Sequence, residues 1–423
     1  MSREMKNSGI PWIGEVPKSW EVVRNKNVFS NSKTLVGENW NNTQLLSLTT
    51  KGIKPIAIGS TSGKVPDSYE TYQVVEKNNL VMCLFDLDCS AVFSGLSPIF
   101  GMISPAYKAL TVKEGYYPDF YAKWFEYIFD GRKFMFLSKN IRYSLTYDEF
   151  AALQIVAPSL SEQQKIAIFL DKKCSEVGEM IALQEQIIEE LKAYKQSVIT
   201  EAVTKGLNPN VPMKDSGIEW IGEIPDHWCI DKVIRSFGLI GSGTTPKSTE
   251  DDNFVGNIRW IQSGDINGGI MFECKNRISE STLKKTSALK VYNPPFIIVA
   301  MYGASVGNTS ISTIDGCVNQ ACCVLSDTHL NLDYTFNVIK TCKDYWLKKA
   351  VGGGQPNISQ DTIKSTWIPI PPTNEQQSIA DYLDKKCGEI DALIAIKQQK
   401  IESLKEYKKS IIYEYVTGKK EVV

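Results

Sequence analysis

The sequence predicts an α+β fold: two mixed, strand-rich domains separated by two long antiparallel helices that form a coiled-coil spacer, arranged with pseudo-twofold symmetry. Two repeats and one contrast predict it. SGIPWIGEVPKSW (8–20) returns as SGIEWIGEIPDHW (216–228), and the stretch from Glu162 to Thr204 returns from Glu375 to Thr417 with 25 of 43 positions identical and no gap. The blocks between the repeats, 21–157 and 229–371, share almost nothing at the same offsets. A duplicated frame that carries unlike surfaces suits a protein that meets two unlike targets.

Each element has its own signal. In the first block LVMCLFD (80–86) and LQIVAP (153–158) read as strands, and the aromatics of 119–137 have helical spacing that ends near Gly131. In the second, IRWIQSGDI (258–266), FIIVAMYG (296–303) and ACCVLSD (321–327) read as strands, with 335–351 as a late helix before a triple-glycine breaker. Val177, Ile181, Ile188, Leu191, Val198 and Ala202 recur at threes, fours and sevens, as do Ile390, Ile394, Ile401, Leu404, Ile411 and Tyr415. These are seam positions of a helix that packs along its length. About 27 residues at ~1.5 Å each make a rod of roughly 40 Å. The expected divisions are 1–157, 158–206, 207–371 and 372–423.

Composition narrows the class. A chain of 423 residues with 43% hydrophobic content has length and apolar material for two cores. It has no run of 18 apolar residues and no secretory leader pattern at its start, so a cytoplasmic protein without a membrane span is expected. Ten cysteines without a CxxC pair, and only two histidines, point to reduced thiols rather than a zinc site. The net charge of −1 provides no strong pull on nucleic acid, so phosphate attraction must come from local patches or a partner.

Two fragments invite an enzyme reading. IGSGTTP (240–246) resembles the turn that holds the methionine moiety of S-adenosylmethionine, and NPPF (293–296) matches the tetrapeptide of amino-methylating DNA methyltransferases. Against this, Thr244, Pro246 and the polar STEDDN run do not begin an amphipathic helix, and NPPF leads straight into a strand. No Walker motif or catalytic constellation is present, and His227, opposite Ser19 in the short repeat, reads as structural. The loops that close the two blocks are better candidates. Arg142, Tyr143 and Ser144 fall in one loop, Gln355 and Asn357 in the other; Arg suits guanine while Gln or Asn suits adenine, and each is equally a polar turn before a strand. Lys51 and Lys139 in the first block, and Thr244, Lys247 and Arg259 in the second, are further candidates for DNA contact.

The ordered set WIGEVPKSW, WIGEIPDHW, GSGTTP, WIQSGDI, YGASVG, GGGQPNIS and P-x-x-x-EQQ-x-I resembles the specificity subunit of a type I restriction-modification enzyme along the whole chain. The first block lacks GSGTTP and YGASVG counterparts, so its base-reading residues transfer less well. The resemblance implies two target-recognition domains on an asymmetric bipartite site in double-stranded DNA, with the helices as a ruler. It implies docking of two copies of a methyltransferase subunit on the repeated helices, around Glu162, Gln163, Leu191 and Tyr194 and their equivalents Glu375, Gln376, Leu404 and Tyr407. Restriction subunits would join them. The chain itself would be non-catalytic and bind no cofactor or metal, S-adenosylmethionine, ATP and magnesium belonging to the partners. The alternatives are an adenine methyltransferase in its own right and a coiled-coil scaffold without base readout.

Overall fold

The computed structural model describes residues 3–31, 34–50, 52–59, 66–87, 93–130, 133, 143–247, 251–350 and 356–422. The chain divides into two compact units, residues 1–185 with 398–423, and residues 186–397. Each long helix therefore contributes to both. The first spans Leu160–Lys205 and the second Thr373–Val416. At ~1.5 Å per residue they extend about 69 and 66 Å, longer than the rod read from the seam. The extra turns precede the seam positions; in the first helix they start at Leu160, just ahead of EQQ, and carry Ile166, Ala167, Leu170 and Cys174 into the first unit's core. All the predicted seam residues are buried or half-buried. Among the described residues no helix is long and apolar enough to cross a membrane.

Both units repeat one strand order although their sequences do not. In the first unit an antiparallel sheet runs Phe29–Asn31, Lys108–Val112, Leu80–Met82, Ser94–Leu96. In the second the order is Phe237–Gly241, Cys322–Thr328, Phe296–Ala300, Thr309–Ser312, with Ile270–Met271 added at the edge. The smaller sheets agree as well, including one parallel pair: Leu45–Thr49 beside Gly101–Ile103, and Ile258–Ile261 beside Cys317–Val318. Burial demands only apolar side chains of fitting size, so the pattern survives while identities drift. The late helix of the second block is two helices, Leu332–Thr341 and Lys343–Lys349, meeting at Cys342.

The repeated residues are the joints of this frame. The fully buried indole of Trp20 donates from Nε1 to Glu162 at 3.0 Å, and that of Trp228 donates to Glu375 at 2.9 Å. Gln163 donates to the Pro158 carbonyl at 2.8 Å and accepts from the Tyr117 amide at 2.7 Å. Gln376 does the same with Pro371 and Asn331, both at 2.8 Å. Each pair sits where a strand, Glu21–Arg24 with Gln154–Ala157 or Cys229–Lys232 with Trp367–Ile370, runs into a long helix. Beyond the helix ends, Gly206 and Gly418 take positive φ, +74° and +71°, and a Cβ on either would stand 3.0 Å from the ring of Trp228 or Trp20. The short repeat and the helix repeat are thus halves of one contact.

Ionic groups differ between the units. In the first, Glu126 bridges Lys408 at 2.8 Å and Lys123 at 3.4 Å, beside a cavity of about 670 Å³ also lined by Asp119 and Asp171. In the second, Lys195 stands in the repeat position of Lys408 and pairs instead with Asp391 at 2.6 Å, while burial, reinforced by Lys195, holds the Lys340 ammonium below its ordinary range. The described cysteines are free, and burial pushes the thiols of Cys317 and Cys323 up to about 11 and about 12. Protonated, buried thiols are poor metal ligands.

Two predictions follow from these joints. Gln163→Leu and Gln376→Leu each strand a half-buried amide and a buried carbonyl, so each should lower the unfolding free energy by about 1–3 kcal/mol, read from urea titration of the purified chain. For Glu126, burial pushes the carboxyl up, but Lys123 and Lys408 outweigh it and hold it below the ordinary 4.5. A depressed folded pKa stabilises above the unfolded value, and that stability is lost as pH falls through the folded one. Unfolding of the parent chain should therefore become easier below pH 4.5, and Glu126→Gln, less stable by about 1 kcal/mol at neutral pH, should show a shallower fall there.

Candidate nucleic-acid interface

In the second unit the strand ends bring their loops together. The strand Phe237–Gly241 leaves into GSGTTP, where a Cβ on Gly243 would lie 1.8 Å from the Val318 carbonyl oxygen and one on Gly241 2.1 Å from the Tyr292 hydroxyl. Only glycine admits such approach. Trp260 Nε1 donates to the Thr244 carbonyl at 3.3 Å, and Thr245 Oγ1 donates to Gln320 at 2.6 Å. The Asn319 amide donates to Ile261, Met301 to Ala321, and Ile358 to Met301, at 3.0, 2.7 and 2.9 Å. These bonds gather 241–247, 261–265, 301–303, 318–321 and 356–358 at one end of the sheets. Thr245, Gln320 and Asn357 are exposed there, and Thr244, Gln262 and Asn319 half-buried. Such uncharged donors and acceptors suit base edges, whereas charge alone would grip phosphate without choosing sequence.

The first unit builds the matching corner from other residues. Leu145 donates to the Leu84 carbonyl at 2.6 Å, as Ile358 does to Met301. Two residues beyond each acceptor the backbone turns left-handed in both units, Asp86 at φ 47° and Gly303 at φ 69°. The Asp86 amide donates to Ser144 Oγ at 2.8 Å, and the Gly303 amide to the Pro356 carbonyl at 2.9 Å. Just before each turn stands an aromatic residue, Phe85 or Tyr302, 40% and 43% exposed. Sequence reasoning missed both. Their separation in the chain matches neither repeat offset, so only the hydrogen bonds align them.

The predicted contacts fare unevenly. Tyr143 and Ser144 are half-buried at this corner, with Tyr143 at φ 48° and Ser144 engaged by the Asp86 amide; Asn357 is exposed and bridges to Tyr302. Lys247 is exposed at the margin of the cluster. The Arg259 guanidinium is ion-paired to Asp315, which offsets its charge. Lys51, Lys139, Arg142 and Gln355 lie outside the described residues.

On the helices, Gln163 and Gln376 are buried and spent on the frame, and Leu404 is buried, so they present no surface to a partner. Glu162 and Glu375 hold the indoles, and His227 Nε2 lies 2.7 Å from Glu375, in keeping with a structural histidine. Leu191 is half-buried, while Tyr194 and Tyr407 are each 51% exposed. Of the fragments that suggested an enzyme, GSGTTP is met by the residue just before NPPF. Tyr292 fills the space over Gly241 and donates to the Ser242 carbonyl at 2.9 Å, and the next described helical turn, Asp251–Phe254, is a short 3-10 segment.

Residues 230–406 match the type I restriction modification DNA specificity domain. The provisionally assigned MjaX type I restriction enzyme specificity subunit of Methanocaldococcus jannaschii is 27% identical over 284 residues, covering 65% of this chain and 61% of that relative. The MjaVIII specificity subunit of the same organism is 25% identical over 283 residues, 64% and 63%. The chain thus matches about three-fifths of the length of these relatives. Among solved structures, a chain from work on complex assembly and conformational transition of the type I R-M system aligns over 95% of this chain and 99% of its own, at 16% identity and a TM-score of 0.72. The HsdS subunit from Thermoanaerobacter tengcongensis aligns over 95% and 98%, at 16% identity and a TM-score of 0.52. These structures share the fold.

Proposed function

From a chain whose residues 230–406 match the type I restriction modification DNA specificity domain, we infer a non-catalytic subunit that selects a bipartite, asymmetric sequence in double-stranded DNA for partner enzymes. The observation that carries this is the duplicated corner: one strand order and one left-handed turn, built twice, with unlike side chains at the exposed loops. Two equal supports with unlike surfaces serve two unlike half-sites. In this reading Thr244, Lys247 and Asn357 contact one half-site and Tyr143 and Ser144 the other, with Lys51, Lys139, Arg142 and Gln355 beside them. Hydrogen bonds to base edges select sequence, and phosphate contacts set register.

The chemistry belongs to partners. Two methyltransferase subunits dock on the repeated helices, with Tyr194 and Tyr407 the exposed members of the matched positions, and restriction subunits complete the assembly. S-adenosylmethionine, ATP and magnesium are bound there. The same partners supply the positive field that a chain of net charge −1 lacks. The two long helices act as an antiparallel spacer whose length sets the unread gap between half-sites, a proposal that rests on the matched repeats in the sequence.

Co-expression with the methyltransferase subunit should give adenine methylation at a gapped motif, mapped across the genome. Exchanging residues 21–157 for the block of a relative should change one half-site and leave the other. Asn293→Ala should leave methylation intact; its loss in a folded variant would favour an intrinsic methyltransferase, and an unchanged target after the exchange would favour a scaffold. Four residues, about one helical turn, inserted at matching points of both long helices should widen the gap while both half-sites persist. An unchanged gap would reject the spacer.

A further inference from the structure

We propose that Phe85 and Tyr302 are matched apolar readers, each contacting the methyl group of a thymine in one half of the bipartite site. The proposal rests on the DNA-reading function above and names residues and a chemistry for it. The two side chains occupy the same place in two unrelated sequences. Each is the last residue before the left-handed turn, one position after the residue whose carbonyl accepts from Leu145 or Ile358. A structural role would bury such rings, as it buries Phe93, Phe120, Phe125 and Phe296. Here 40% and 43% of the residue stays in solvent, at the corner where the strand-end loops gather.

Their surroundings suit a reading contact. The Phe85 ring lies 6.0 Å from that of Tyr107, which supports it from one side, and Tyr302 is bridged through its backbone to Asn357. The backbone beneath each is pinned by the hydrogen bonds of the turn, so little conformational freedom is lost when the ring meets DNA. An aromatic ring offers contact area at low entropic cost. In the major groove, the thymine methyl is the apolar mark that distinguishes one base pair from the others. The polar neighbours, Ser144 in one unit and Asn357 and Gln320 in the other, stand ready for adjacent base edges.

Uracil in place of thymine removes that methyl and nothing else. The complex of this chain with its methyltransferase partner is titrated, by fluorescence anisotropy, against duplexes in which each thymine of the methylated motif is replaced in turn. The parent complex should have one thymine in each half-site whose replacement weakens binding about three- to tenfold. Phe85→Ala should abolish that sensitivity in one half-site only, and Tyr302→Ala in the other, while Tyr302→Phe should keep it. Thermal melts of the variants check folding, and the uracil series on the parent complex stands whether or not a variant folds. If no half-site thymine methyl matters, or if the alanine variants respond to uracil as the parent does, the proposal is overturned while the gapped motif still supports the broader function. A parent complex with no gapped motif overturns both.

Discussion

The architecture depends on a buried indole N–H that has one place to go. Trp20 and Trp228 are fully enclosed, and an enclosed donor without a partner is strongly disfavoured. Each finds the carboxylate of Glu162 or Glu375, in the opening turn of a long helix, where the helix dipole also favours negative charge. That bond fixes the rotation of the helix against the hairpin before it. The neighbouring Gln163 or Gln376 then ties the same turn to the strand that leads into it. On the far side of each ring a glycine past the end of the other long helix completes the enclosure. Hairpin, helix start and helix end are therefore held by one side chain in each unit. Any drift in the repeated residues would release all three, which accounts for the repeats being so alike.

With the frame fixed there, the blocks between are free to diverge. Their strands need only apolar residues in the right alternation, and the central strand Phe296–Ala300, buried throughout, tolerates any run of comparable volume. What must persist is geometry at the strand ends. The left-handed position shows how: one unit satisfies it with Gly303, the other with Asp86, a residue type that visits this region more readily than most. Even the bond that closes the turn changes chemistry, from a backbone carbonyl to a serine hydroxyl. Support is retained and surface is exchanged.

Much of this was legible in the sequence, and the rest was hidden for physical reasons. The repeats marked the hairpins and the long helices, because identical residues reflect identical burial and bonding. The rod read from the periodic positions is shorter than the helices, because that periodicity begins only at Val177, after Ile166 and Leu170 have entered a domain core. The common topology of the two blocks was invisible, since strands advertise alternation rather than identity. In the candidate site, the sequence pointed to Thr244 through GSGTTP and to Asn357 through the loop that closes the second block, and both lie at the gathered strand ends. Phe85 and Tyr302 were not, since a lone aromatic after an apolar strand looks like core until its exposure is known. For Gln163 and Gln376 the resemblance implied a docking face, and their burial reverses that inference.

Nor are the two copies equal where their sequences are closest. In the first unit Tyr415 lies on Phe169, ring centres 4.5 Å apart. The repeat equivalent of Tyr415 in the second unit is Ala202, which leaves Tyr382, the counterpart of Phe169, without that cover. A groove of about 640 Å³ lies there, lined by Tyr194, Tyr382, Leu207 and Met213 together with Glu201, Glu223 and Lys205. Even the most similar part of the chain thus carries unlike side chains at matched surface positions. In the proposed assembly, two copies of one partner would meet similar but not identical helix sequences at the two places. On that proposal the repeated frame offers two matched docking places, and single side chains make them unlike.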